Sequence, residues 1–190
     1  GQVYLDPFMG HGIRMQVAKI RGLDYYGYDL CEEFCNFIWS VKSKIDDGNT
    51  IIEANYADSK HPDKIPDNIG DFCFTSPPYW DVEFYSDHDE QLGTGKSYEE
   101  FMDGMEEVLR NWMPKFKSGA WCCFNVNDFT KNGKFYPYHS DLTQRFLSAG
   151  WEMAGVWIVK GLVGLTMQAF SVSANNRKQI PRVHEYVLVF

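Results

Sequence analysis

The residues of this chain best suited to chemistry on a planar amine are Ser76-Pro77-Pro78-Tyr79, preceded by the apolar run Phe72-Cys73-Phe74 and followed by Trp80. A short apolar run bounded by turn formers has the pattern of a buried strand. Proline lacks an N–H and fixes φ, so the Pro77-Pro78 pair cannot continue a central strand. The chain must leave the sheet in a rigid, extended turn that presents Ser76, the proline carbonyls and Tyr79 together. Fixed acceptors beside an aromatic face suit a flat ring that carries an amino group. A strand end with a proline stop explains the prolines alone equally well.

A second group sits near the amino terminus. Asp6-Pro7-Phe8-Met9-Gly10-His11-Gly12 ends a first strand, and glycines one residue apart let a backbone turn tightly and approach a ligand closely. Asp29 ends the next strand, a little under the ~20 residues past a glycine loop at which a carboxylate accepts hydrogen bonds from ribose hydroxyls. A structural turn for the glycines and a helix cap for Asp29 are the plain alternatives.

The elements that position these groups alternate. Strands are predicted at Val3-Tyr4-Leu5, residues 25–30, 50–54, the run before Ser76, 120–126, 151–160 and 184–190. Helices are predicted at 13–21, 31–44, 97–112 and 139–149. Ser97-Tyr98-Glu99-Glu100 reads as a capping box, and Phe101, Met105, Val108, Leu109 and Trp112 recur at helical spacing as a core-facing stripe. Gly95-Lys96-Ser97 is not a phosphate loop, because Glu90 stands where that motif needs glycine. Residues 81–96 read as a loop over the strand ends. Alternation of this kind implies a mostly parallel α/β sheet with helices on both faces, and ligands bind such sheets at the carboxyl ends of the strands. Both groups lie at such ends, so they are expected to face one another across a single crevice if the first and fourth strands are neighbours.

At 190 residues and 44% hydrophobic, the chain can bury the core of one domain. Gly1 is not an initiator Met and a buried strand begins at Val3, so residues 1–190 are expected to be a single catalytic domain excised from a longer polypeptide. The apolar stretches are far short of a membrane span. The five cysteines, with no CxxC pair, are expected to be reduced core residues of a cytoplasmic protein. The scattered histidines give no metal site. A net charge of −8 excludes a protein that simply coats nucleic acid, so any such contact needs a local patch or a partner.

The Asp6–Gly12 loop together with Thr75-Ser76-Pro77-Pro78-Tyr79-Trp80 resembles the S-adenosylmethionine-dependent amino-methyltransferases of DNA, which methylate the exocyclic nitrogen of cytosine or adenine. Asp58-Ser59, Gln91-Leu92-Gly93, Gly150-Trp151 and His184-Glu185-Tyr186 fall where that family has similar residues. The resemblance implies a Rossmann-like methyltransferase fold, a seven-stranded sheet with its last strand antiparallel. It implies S-adenosylmethionine as cofactor, held by Asp6, Pro7, Phe8, Gly10, Gly12, Asp29 and Asp58. Ser76 and the Pro77 carbonyl would accept hydrogen bonds from the target amine and Tyr79 would stack on the base, with Pro78 the remaining catalytic-motif residue and Trp80 a further DNA contact. Serine at the first position resembles the cytosine-N4 enzymes more than the adenine-N6 ones.

His11 and Ile13 depart from the small hydroxyl residues usual in that loop. No separate target-recognition domain is evident. Lys160, Arg177, Lys178 and Arg182 lie in an acid-free segment that is the candidate DNA contact, with sequence specificity expected from flanking domains or a partner subunit. Such an enzyme would be cytoplasmic, and nucleoid-associated if bacterial or phage-encoded. Ring-carbon methylation is set aside, because Cys73 lies inside the strand and not on the turn. A protein-glutamine methyltransferase is a rival reading, although asparagine would be expected in place of Ser76. A non-catalytic cofactor-binding subunit is another.

Overall fold

A computed structural model describes residues 1–82, 88–160 and 184–190. In chain order the elements are β1 (Val3–Asp6), α1 (Ile13–Ile20), β2 (Asp24–Asp29), α2 (Glu32–Ile45), β3 (Ile52–Tyr56), β4 (Gly70–Thr75) and α3 (Tyr98–Trp112). They continue with β5 (Phe116–Val126), β6 (Phe129–Lys131), β7 (Lys134–Tyr136), α4 (Tyr138–Ser148), β8 (Gly155–Lys160) and β9 (His184–Val189). The main sheet has seven strands in the order β3-β2-β1-β4-β5-β9-β8. Every pairing is parallel except those of β9, which runs antiparallel to both β5 and β8. This is the Rossmann-like sheet anticipated above, with helices on both faces.

Alternation along each strand divides the core. Tyr4 and Tyr25 point to the side covered by Met15 and Ala18 of α1 and Cys35 and Ile38 of α2. Leu5, Cys73 and Phe124 point to the opposite side, against Phe101, Met105 and Trp112 of α3 and Leu142 and Phe146 of α4. The capping box starts α3 as expected: Ser97 Oγ accepts from the Glu100 amide, and the Glu100 carboxylate accepts from the Ser97 amide at 2.7 Å. All five cysteines are buried and free. Among the described residues no helix is long and apolar enough to cross a membrane.

Two features differ from the sequence reading. Most element ends move by one or two residues, the third strand starting at Ile52 and not at Thr50. The strand expected at 120–126, however, starts four residues earlier, at Phe116, and the one expected at 151–160 four later, at Gly155. More important, β6 and β7 form a separate two-stranded hairpin that hydrophobic periodicity does not reveal. Its strands are three residues each, too short for a clear period. Its turn is legible, because Asn132 and Gly133 both have positive φ (51° and 78°), the combination that Asn-Gly supplies to tight hairpins.

Candidate active site

β1 and β4 are hydrogen-bonded neighbours, with β2 and β3 continuing on one side and β5 on the other. The order of connection therefore reverses between them, which opens a crevice at their carboxyl ends. A buried knot ties the two strand ends together. Asp6, fully buried, accepts from Thr75 Oγ1 at 2.7 Å, Tyr25 Oη at 2.8 Å and Arg14 Nε at 2.8 Å. Burial works against the Arg14 charge, but the facing Asp6 carboxylate outweighs it and raises the guanidinium's pKa. Burial, with Asp6 second, pushes the Tyr25 phenol well above its ordinary range, so it stays a donor.

The glycine loop then folds back onto β2. The Met9 amide donates to the Tyr28 carbonyl at 2.9 Å, and the Gly10 amide donates to Asp29 Oδ2 at 2.8 Å. Gly10 has φ 52°, the left-handed conformation that glycine adopts without strain. Asp29 Oδ1 accepts from the Cys31 amide at 2.8 Å, so backbone donors fix both carboxylate oxygens. Burial raises the Asp29 pKa, partly offset by those two amides. In the third loop, Trp112 Nε1 donates to the Ser59 carbonyl at 2.6 Å, and Ser59 Oγ donates to the Pro7 carbonyl. The neighbouring Asp58 Oδ1 accepts from the Lys60 amide at 2.9 Å. Asp58 Oδ2 is buried without a hydrogen bond among the described residues, its nearest cation being Lys60 Nζ at 3.6 Å.

One cavity joins these loops. Phe8, Gly10, Asp29, Leu30 and Phe34 line it together with Asp58 and Ser59 and with Ser76, Pro78, Gln91 and Leu92. The structure thus brings together Phe8, Gly10, Asp29, Asp58, Ser76 and Pro78 of the residues singled out by sequence. Pro77 is buried beside them, and Tyr79 stands next to the cavity, edge-on to Tyr138 at 5.7 Å and Phe129 at 6.4 Å. The turn is clamped from several directions. Tyr138 Oη donates to the Pro78 carbonyl at 3.0 Å, and Trp80 Nε1 donates to the Lys96 carbonyl at 2.8 Å.

Other residues of the sequence reading sit elsewhere. Asp6 is not on the cavity wall, because its carboxylate is enclosed by Arg14, Tyr25 and Thr75. The Pro7 carbonyl is taken by Ser59. Gly12 has φ 73° at the start of α1, where an added Cβ would meet Ile38 at 2.7 Å. These three hold the loop and do not face the cavity. Trp80 is half-buried among Tyr98, Phe129 and Tyr136, with Lys131 Nζ over its ring, which makes it part of the clamp and not an open DNA-facing surface. His11 lies against Phe34, with ring centroids 3.9 Å apart. Lys160 is exposed at the end of β8, while Arg177, Lys178 and Arg182 lie outside the described residues. Cys73 is fully buried, and burial pushes its thiol well above the ordinary range, which makes it unfit as a nucleophile. No cluster of metal-ligating side chains exists among the described residues.

Sequence reasoning quoted Thr75 in the motif but gave it no role, and it did not single out Tyr138, Leu30 or Phe34. Thr75 looked like one more strand residue, and Phe34 one more apolar helix position; only the packing gives them partners.

The fold is that of the S-adenosylmethionine-dependent methyltransferases. The chain superposes over 99% of its length on 80% of such an enzyme from Aquifex aeolicus, with 15% identity and a TM-score of 0.59. It also superposes over its whole length on 70% of geranyl diphosphate methyltransferase solved with GPP and sinefungin, with 11% identity and a TM-score of 0.63. Within that fold the sequence is more particular. Residues 70–190 match the profile of the N6/N4 DNA methylases, and the chain belongs to that family. It is 23% identical over 128 residues to the type II methyltransferase M.MjaVI of Methanocaldococcus jannaschii, an alignment covering 66% of this chain and 64% of that protein. A chain described as a DNA modification methylase from Thermus thermophilus, solved with S-adenosyl-L-methionine, matches over 70% of this chain and 52% of its own length, with 23% identity and a TM-score of 0.51.

Proposed function

We propose that this chain transfers a methyl group from S-adenosylmethionine to the exocyclic amine of a DNA base, cytosine N4 in preference to adenine N6. The observation that carries the reading is one cavity lined by Asp29 and Asp58 together with Ser76 and Pro78. The residues present fit the cofactor. Asp29, with its oxygens set by two backbone amides, has lone pairs left for a ribose diol. The orphaned Asp58 Oδ2 is a buried acceptor that lacks a donor such as an adenine amino group. Phe8 and Phe34 offer apolar walls, and Gly10 lets the backbone come close. The bound cofactor would supply an electrophilic methyl group.

The rest is the work of this chain's residues. An exocyclic amine is a weak nucleophile because its lone pair is delocalised into the ring. Ser76 Oγ and the Pro77 carbonyl, as acceptors for its hydrogens, favour the pyramidal form and aim the lone pair. The Pro78 carbonyl is already engaged by Tyr138, so it stiffens the turn. Positioning and preorganised acceptors supply the acceleration, and no strong base is required. The amine proton becomes acidic as the new N–C bond forms and leaves to solvent. A duplex base must first flip out at a cost of a few kcal/mol, of which stacking on Tyr79 returns ~1–3 kcal/mol. Serine at position 76 is the ground for the cytosine preference. Flanking domains or a partner subunit would choose the sequence, and the enzyme would work in the cytoplasm, on the nucleoid if bacterial or phage-encoded.

Incubation with labelled cofactor and DNA, followed by mass analysis of nucleosides, tests the reading. N4-methylcytosine is the expected product; N6-methyladenine would keep the enzyme and move the base. Ser76→Ala and Tyr79→Ala should keep cofactor affinity and lose transfer. Label found in a protein acceptor and not in DNA, or unchanged transfer by Ser76→Ala, would overturn it.

A further inference from the structure

We infer that the β6–β7 hairpin is a nucleic-acid contact placed beside the Ser76–Tyr79 turn, with Lys131 and Lys134 on backbone phosphates and Phe135 stacked on a base. This rests on the methyltransferase reading and names the surface through which that site meets its strand.

The hairpin is seated directly on the turn. Phe129 and Tyr136 are opposite one another and stacked, with centroids 5.3 Å apart, and Tyr136 lies 5.2 Å from Trp80. Lys131 and Lys134 are also directly opposite one another, on the same side as that aromatic pair. Lys131 Nζ stands 4.8 Å over the Trp80 ring and Lys134 Nζ 4.9 Å over Tyr136. Like charges facing across a strand pair destabilise it. Asp81 partners Lys131, whereas Lys134 has no ion pair among the described residues. A phosphate beside Lys134 would supply the counter-charge that Asp81 gives Lys131, and a phosphate is the anion that a DNA strand entering this crevice brings.

Composition points the same way. From Phe129 to Ser140 there is no carboxylate in a chain whose net charge is −8. Thr130 and Phe135 project from the other side of the hairpin, and Phe135 is 54% exposed. Cations that track a backbone, with aromatics that accept a base, are the combination by which proteins grip single strands without reading sequence. A base flipped toward Ser76 leaves its neighbours partly unstacked, which gives Phe135 a ring to meet.

The test is anisotropy of a fluorescein-labelled mixed-sequence duplex and of its single strand, each titrated with this chain across a salt series. Lys134→Ala should lower the slope of log K against log salt by about 0.7–0.9. Phe135→Ala should weaken binding about tenfold with the slope unchanged. Lys44→Ala, an exposed lysine in the last turn of α2 at the opposite end of the sheet, should alter neither. Circular dichroism and affinity for S-adenosylhomocysteine check that each variant is folded. Wild-type affinity and slope in both hairpin variants, or an equal slope change in Lys44→Ala, would overturn the inference. If the wild type methylates DNA while those variants bind normally, the hairpin assignment alone falls. A wild type that neither binds nor methylates DNA removes the methyltransferase reading with it.

Discussion

Thr75→Val removes one hydroxyl from the knot that joins the two strand ends and changes little else. Valine keeps the branched shape a strand prefers, and the site is fully buried. The hydrogen bond lost is 2.7 Å long and ends on the Asp6 carboxylate, which keeps Arg14 Nε and Tyr25 Oη at 2.8 Å. A hydrogen bond to a charged group contributes ~1.5–3 kcal/mol, so a loss of ~2 kcal/mol is expected. For a chain of this size that lowers the melting temperature by roughly 4–8 °C. Because the bond links β4 to β1, the Ser76 turn should also drift from the cofactor end, and a misplacement of ~1 Å costs on the order of a hundredfold in rate. Thermal melts by circular dichroism and single-turnover methyl transfer measure the two effects. Tyr25→Phe is the control, since it removes a donor to the same carboxylate without touching β4. It should lose stability and keep its rate. A melting temperature within about 1 °C of wild type for Thr75→Val, or equal slowing by both variants, would refute the role given to the knot.

Two more outcomes follow from contacts elsewhere. At Gly93 an added Cβ would lie 2.2 Å from the Trp80 carbonyl oxygen, so Gly93→Ala must displace the turn. Its single-turnover rate should fall by about a hundredfold or more, while S-adenosylhomocysteine affinity by calorimetry changes far less. At the α3–α4 contact, hydrogen bonds from Arg110, then Arg145 and Ser148, pull the Glu106 carboxyl from an ordinary 4.5 to about 2. A carboxylate depressed in the folded state stabilises fully above its unfolded pKa and loses that contribution as pH falls through the folded one. Melting temperature should therefore decline from about pH 4.5 toward about pH 2 in part through this group. Glu106→Gln should be less stable at pH 7 and decline less across that window.

Much of the fold was legible in the sequence because strands and helices announce themselves through period and punctuation. Gly22 and Gly150 stop helices, Ser97 and Glu100 start one, and Pro77-Pro78 ends a strand. These are local effects of backbone geometry that act before any long-range contact forms. The hairpin escaped because its strands are too short for a period, although Asn132-Gly133 marked its turn. The site was legible in part for the same reason. Gly10, Asp29, Asp58, Ser76 and Pro78 carry types that fit a ligand, and the cavity does contain them.

The sequence by itself determined most of the elements, the β6–β7 hairpin aside, and the loops they end in, since both follow from neighbours a few residues apart. It did not determine which polar residue faces the cavity and which faces the core. Asp6 and Asp29 both end strands, yet only Asp29 lines the cavity. The difference is whether Arg14, Tyr25 and Thr75, far apart in the chain, converge on one carboxylate and enclose it. Only the packed sheet makes that choice, because a buried charge must find its partners in space and not along the chain.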